Sequence, residues 1–232
     1  MKPWFIWKGI ESGQMEIVVE SLPPVTRPAM RVSVTEIEGR DGDEVTDLGY
    51  EAYDKEIVFG IKKTTEEYLN SLMYWLSGDG ELITSVEPTK KYYCKIYEVL
   101  DLERLCRFRK GGIRLHTQPY KYAVSESAVE WSGGNKVLQV QNRGNTSSAP
   151  LITVTGSGVV NISVDGTFVC KLDLGEDDMI IMDSAEMEAY DNMSLRNRDM
   201  TGDFVHLPPG GHEITWDGDI TVLVVVPKSR WV

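Results

Sequence analysis

The chain has 232 residues, 41% of them apolar and 26% charged, with a formal net charge of −12. That is the composition of a soluble globular protein, and no apolar run reaches the roughly 18 residues that a membrane-spanning helix needs. The acidity is uneven, with 16 acidic and 7 basic residues in 126–232 against 20 and 17 in 1–125, and a surface of that sign repels free nucleic acid and anionic membranes. Met1-Lys-Pro-Trp-Phe-Ile-Trp-Lys8 is followed at once by Gly9-Ile-Glu11, so no secretory signal is expected. Cys94, Cys106 and Cys170 are too few and too widely spaced for a disulfide framework or a zinc site, and they read as reduced, buried small apolar residues.

Met15–Val19 alternates as a strand, and the turn Leu22-Pro-Pro-Val-Thr-Arg-Pro28 stops its ladder because proline has no N–H to donate. Arg31–Ile37 and the segment from Val45 to Tyr50 read as strands joined by a hairpin tip at Gly39-Arg-Asp41-Gly42-Asp43, and Tyr53–Ile61 has two-residue periodicity. One helix is marked by Thr64 as cap, Glu67 completing a capping box, and Tyr68, Leu69, Leu72, Met73, Trp75 and Leu76 at helical spacing before Gly78. Short strands are expected at 81–84, 92–97, 105–109 and 112–116, so the first part is mainly β with one helix.

Small and polar residues at 123–135 mark a boundary, giving domains of 1–125 and 126–232. The second reads as about eight short strands of a sandwich or jelly roll, with 191–202 the longest irregular stretch. Gly156-Ser-Gly158 lacks the third glycine and the following helix of a dinucleotide loop, so it is expected to be a turn between strands. Trp216-Asp-Gly218 likewise reads as a strand closing on a turn.

No catalytic constellation is visible. His116, His206 and His212 have no metal-ligand spacing, no Gly-x-Ser-x-Gly elbow occurs, and Asp41-Gly-Asp43-Glu44 lacks the closing glutamate of a calcium loop. The chain is therefore expected to be no enzyme and to need no cofactor and no metal. Eight acids from Asp173 to Asp191 against Lys171 alone make a solvated face, or a docking surface for a basic partner. Arg104, Arg107, Arg109, Lys110 and Arg114 form a basic stripe on adjacent strands, read as interface or intramolecular salt links. Trp131, Tyr190, Trp216 and Trp231 are either core or, in the alternative reading of the chain as a carbohydrate-binding module for host glycans, a platform for sugar rings.

Several pieces follow one another in a distinctive order: Ile37-Glu-Gly39-Arg-Asp41-Gly42, Leu48-Gly49-Tyr50, Trp75-Leu-Ser-Gly78, Gly80-Glu-Leu82 and Gln118-Pro119-Tyr120-Lys121-Tyr122. The second part adds Asn142-x-Gly144-Asn145-x-x-Ser148-x-Pro150, Gly156-Ser-Gly158, Leu207-Pro-Pro-Gly210 and Ile214-Thr-Trp216-x-Gly218. Their collinear order over nearly the whole chain resembles the distal tail proteins of long-tailed bacteriophages, the Dit family. The resemblance implies a β-rich N-terminal domain of the tail-tube kind, at 1–125, that assembles as a six-fold ring around a DNA channel. A galectin-like β-sandwich, at 126–232, would lie outside the ring. It further implies a structural virion protein at the distal end of the tail, assembled in the host cytoplasm and placed between the tail tube and the tail-associated hub or fibre protein of the adsorption apparatus. DNA would meet it only in transit, with no membrane insertion. Larger members of the family carry inserted carbohydrate-binding modules, for which this chain has no room. Asp41, Asp43 and Glu44 are the candidate channel-lining acids, because negative walls let DNA slide without sticking.

Overall fold

The computed structural model describes residues 2–98 and 100–232, with the backbone alone at 102–104. Among these residues the chain divides into two compact units, one running to Val124 and the other spanning Ser125–Trp231. The first contains β1 (Phe5–Trp7), β2 (Ile10–Glu11), β3 (Ile17–Ser21), β4 (Met30–Glu36), β5 (Asp43–Tyr50), β6 (Tyr53–Ile61), α1 (Glu66–Trp75), β7 (Gly78–Thr84), β8 (Lys90–Ile96), α2 (Leu102–Phe108) and β9 (Lys110–Ala123). Its main sheet has the order β2-β1-β7-β8-β9-β6-β3, antiparallel at each of its pairings.

Alternation decides which face of this sheet is covered. In β6, Lys55, Ile57, Phe59 and Ile61 are buried while Asp54 and Glu56 face water. Helix α1 has only ten residues, too few to persist alone in water, and it is held by Leu69, Leu72 and Trp75 against that covered face. Trp75 stacks on Phe5 at 5.7 Å, and the indoles of Trp7 and Trp75 donate reciprocally to each other's backbone carbonyls at 2.8 and 3.0 Å. Both buried N–H groups are thereby satisfied. The capping box does not form: α1 starts at Glu66 with Thr65 as cap, and no side chain bonds the free amides. Glu66 and Glu67 in the first turn complement the helix dipole instead.

A second helix, α2, occupies the stretch expected to be a strand at 105–109. The alternation of Leu105, Arg107 and Arg109 with Cys106 and Phe108 is misleading, because Leu105 alone is fully buried and 106–109 are all exposed. One apolar contact per turn is what a short surface helix needs. Gly111 lets it lie close to β9: a Cβ there would stand 2.9 Å from Leu105 Cδ2. Cys106 is accordingly exposed, unlike the buried Cys94 and Cys170, which corrects the expectation for that cysteine.

The second unit contains β10 (Val129–Trp131), β11 (Val137–Asn142), β12 (Leu151–Val164), β13 (Thr167–Asp183), β14 (Glu188–Tyr190), β15 (Met200–Gly202) and β16 (Gly210–Val226). Instead of about eight short strands, three strands of 14, 17 and 17 residues dominate it. Each long strand serves two layers. The first half of β16 pairs with β11 and its last residues with β10, while β13 pairs first with β15 and then with β14. Register shifts at Gly156/Gly158 in β12 and between Ser157 and Asn161 against β16 mark where the strands bend. The two halves close on one core that includes Ile152, Val154, Ile162, Leu172, Ile180, Ile214 and Leu223, which makes a β-sandwich from a sheet folded on itself.

Gly156-Ser-Gly158 and Asp217-Gly218 are therefore bulges inside long strands and not turns. The reason they need glycine is proximity. A Cβ on Gly156 would lie 2.1 Å from the Asp219 carbonyl oxygen, and one on Gly218, at φ +113°, would lie 2.4 Å from that of Val159. Gly156→Ala should force the two backbones apart and destabilise the second unit by about 1–3 kcal/mol, as overpacking does. Thermal denaturation checks this; an unchanged midpoint would mean that the bend does not depend on this close approach.

Candidate functional site

The hairpin of β4 and β5 is the most unusual surface of the first unit. Its strands pair with each other alone, and every residue is exposed except Tyr50, which is partly covered. Both faces of the ribbon therefore meet solvent. The register places Val34 opposite Val45, Val32 opposite Asp47 and Glu36 opposite Asp43, all on one face. That face has three valines at its centre, 46, 55 and 57% exposed at Val32, Val34 and Val45, with carboxylates at both ends. Ser33, Thr35, Glu44 and Thr46 lie on the other.

The root of this arm is anchored and the rest is not. Tyr50 meets Tyr120 edge-on at 6.0 Å, and the Arg27 guanidinium donates to its hydroxyl at 3.3 Å. The Pro-rich segment leading into the arm is fixed from below by Lys55, whose ammonium donates to the Pro24 carbonyl at 3.3 Å and lies over the rings of Tyr92 and Tyr53 at 4.6 and 5.2 Å. Burial pushes the Lys55 pKa down, opposed by Glu87 and Cys94. Burial likewise pushes Tyr53 up to about 12. Glu87 accepts from Tyr92, and from Lys90 and Lys121 at 3.4 and 3.5 Å; burial alone would raise its pKa, but these partners outweigh it and hold it low. This network, which sequence pattern did not reveal, ties β6, β8 and β9 together beneath the arm's entry.

The expected acids sit on the arm, but alternation separates them. Asp41 is in the tip, while Asp43 and Glu44 point to opposite faces. All three are exposed, and none has an ion-pair partner among the described residues.

The basic stripe is not a row on adjacent strands. Arg107 is on α2, Arg109 follows it, Lys110 and Arg114 are on β9, and the Arg104 side chain lies outside the described residues. Arg114 pairs with Glu98 and Lys110 with Glu20, at 3.2 and 2.9 Å, as intramolecular salt links. What forms instead is a corner where β6 ends, α2 ends and β9 begins. The Ile61 amide donates to the Arg109 carbonyl at 3.0 Å, and the Arg109 guanidinium donates to the Lys62 carbonyl at 2.8 Å. Arg107 lies over Phe108 at 5.3 Å, and that ring is 59% exposed. Lys62, Arg107 and Arg109 have no carboxylate partner among the described residues.

In the second unit Trp131 and Trp216 meet edge-on at 4.7 Å, with Trp216 buried and Trp131 packed on the same core. Tyr190 is on β14, at the opposite edge of the sheet from β10, which carries Trp131. Trp231 is half-buried. The structure thus brings two of the four aromatics together, and as packing. Within the acidic run, Arg196 donates to Asp178, Asp191 and Asp199, which fixes the irregular loop after β14. The Arg196 bonds, with the Gly175 amide, hold Asp178 down at about 2.

No arrangement for nucleophilic chemistry is built among these groups. Burial pushes the Cys94 and Cys170 thiols up to about 11 and about 12, away from the thiolate. His116 meets Asp54 at 3.2 Å, and His212 meets Asp165 at 2.7 Å through Nδ1 and the Pro208 carbonyl at 2.8 Å through Nε2. No group of three or more metal-ligating side chains occurs among the described residues, and no helix there is long and apolar enough to cross a membrane.

The fold, by contrast, has clear relatives. The protein of phage SPP1 described as "SPP1 Dit (gp 19.1) Protein, a Paradigm of Hub Adsorption Apparatus in Gram-positive Infecting Phages" superposes with a TM-score of 0.73 over 99% of both chains, at 16% identity. A chain of the phage P2 baseplate in its activated conformation with Ca matches with a TM-score of 0.52 over 97% of this chain and 98% of that one, at 7% identity. The phage p2 baseplate with Sr gives the same TM-score at 6% identity, over 97% of each chain. No protein-family model and no curated protein matches the sequence. The chain thus has the fold of the distal tail protein Dit.

His212 generates a pH dependence. Burial lowers its pKa, but the bonds to Asp165 and the Pro208 carbonyl outweigh this and raise it, because only the doubly protonated ring can donate to both acceptors. A raised folded pKa stabilises fully below the unfolded value and is lost as pH rises through the folded one. Stability should therefore fall as pH rises above the ordinary histidine value of about 6.5, and His212→Gln should flatten that slope. Thermal melts across this range check it; equal slopes in both proteins would remove His212 from the account.

Proposed function

We propose that the chain is a structural subunit of a phage tail, forming a six-fold ring at the distal end that joins the tail tube to the hub or fibre of the adsorption apparatus. The observation that carries this reading is the fold match to the SPP1 protein over 99% of both chains, so that both units have counterparts in one hub protein. The surface agrees with it. A ring subunit needs complementary head-to-tail patches instead of a cavity, and the described residues offer an exposed arm and a basic corner. Of the three candidate acids Asp41, Asp43 and Glu44, we propose the two at the tip and on the polar face of the arm, Asp41 and Glu44, for the channel wall, with DNA passing as a transient guest, while Asp43 lies on the valine face. The tube and hub proteins are the assigned neighbours, the virion is the assigned location, and assembly is assigned to the host cytoplasm.

Negative-stain imaging of the purified chain over a range of concentrations, with mass by light scattering, should show six-fold rings; monomers at every concentration would count against the reading. Asp41→Lys combined with Glu44→Lys should leave the ring intact and impair genome delivery by virions that carry the pair. Normal delivery would take these acids out of the channel wall.

A further inference from the structure

We infer that the valine face of the arm docks on the basic corner of a second copy of this chain. The inference rests on the ring reading and names the contact that would close it.

The two surfaces are complementary in chemistry. The docking face of the arm is apolar at its centre, with Val32, Val34 and Val45, and acidic at its ends, with Glu36, Asp43 and Asp47. The corner is apolar at Phe108 and basic around it, with Lys62, Arg107 and Arg109. None of Glu36, Asp43 and Asp47 forms an ion pair among the described residues. Among the described residues the two faces thus carry unpaired charge of opposite sign, each together with an exposed apolar group.

They are also placed so that one chain does not satisfy itself. The arm rejoins the sheet at the start of β6, where Tyr53 pairs with Thr117, and the corner lies at the other end, where Gly60 pairs with Lys110. Seven residue steps of strand separate these two pairs, on the order of 23 Å. In the chain as folded the arm lies on neither the corner nor the sheet, being exposed on both faces. A contact between opposite ends of identical copies is heterologous, and it closes into a ring when its rotation divides the circle. A two-stranded ribbon is marginal on its own in water, so docking would also supply the arm with the covering layer it lacks.

Charge reversal on the full chain tests this. One variant carries Glu36→Lys, Asp43→Lys and Asp47→Lys; the other carries Lys62→Glu, Arg107→Glu and Arg109→Glu. All are surface positions, and far-UV circular dichroism and thermal melts verify that both variants fold. Each alone should need at least a tenfold higher concentration than the unmodified chain to assemble, as read by light scattering and negative stain. Mixed in equal amounts they should assemble again, because the reversed arm of one meets the reversed corner of the other and the two native patches meet in turn. Assembly of the unmodified chain that neither variant weakens, or two weakened variants that the mixture does not rescue, would overturn the docking while leaving the ring reading standing. An unmodified chain that never assembles would overturn both.

Discussion

A two-stranded ribbon with water on both faces is a structure that its own contacts barely support, and this constraint organises the first unit. Cross-strand pairs such as Val34 with Val45 contribute a few tenths of a kcal/mol to about 1 kcal/mol each, against a backbone ordering cost of comparable or larger size per residue. The fold answers by making the root rigid. Tyr50 is held by Tyr120 and Arg27, and the entering segment is held by Lys55 through the Pro24 carbonyl. A buried lysine is expensive unless its charge is met, and here two aromatic faces, a carbonyl and the nearby Glu87 share that task. The polar network in the sheet thus becomes intelligible as the foundation of an element that projects away from it.

The second unit solves the opposite problem, how to bury everything. Three strands long enough to run through two layers bend at glycines, so one curled sheet supplies both faces of the sandwich. Bends of this kind demand backbone contact where side chains do not fit, which is why Gly156 and Gly218 face carbonyls of the neighbouring strand at distances no Cβ could share. The irregular loop after β14 is then secured by charge, with Arg196 set among three aspartates. An arginine in that position consumes the carboxylates that an acidic surface would otherwise present, so the acidic run is partly a structural clamp.

The strands around 31–37, 45–50 and 53–61, the hairpin tip placed at 39–43 and helix α1 were legible because periodicity and turn chemistry act locally. What was not legible depended on distant partners. A glycine that bends a strand and a glycine that ends one look alike in sequence, which hid the long strands of the second unit. Leu105-Cys-Arg-Phe-Arg109 alternates like a strand, yet Leu105 is buried and 106–109 are exposed, as in a helix lying on β9. The candidate acids Asp41, Asp43 and Glu44 were adjacent in sequence and were read as one group, and the pleat sends two of them to opposite faces. The valines of β4 and β5 marked strands and no more, because alternation announces an apolar face without saying whether anything in the same chain covers it.

An uncovered ribbon invites the wrong partner as readily as the right one, since its outer backbone groups can pair with any strand edge. The distribution of charge on the arm bears on that selection. Two arms brought face to face would set Glu36, Asp43 and Asp47 of one against the same carboxylates of the other, and like charges at that separation oppose the pairing. The same carboxylates favour a surface with Lys62, Arg107 and Arg109. The valines supply an apolar contact that is indifferent to partner, whereas the carboxylates flanking them discriminate. In the proposed assembly, the charges that keep the free arm from associating with its own kind are the ones that direct it to the corner of the next copy.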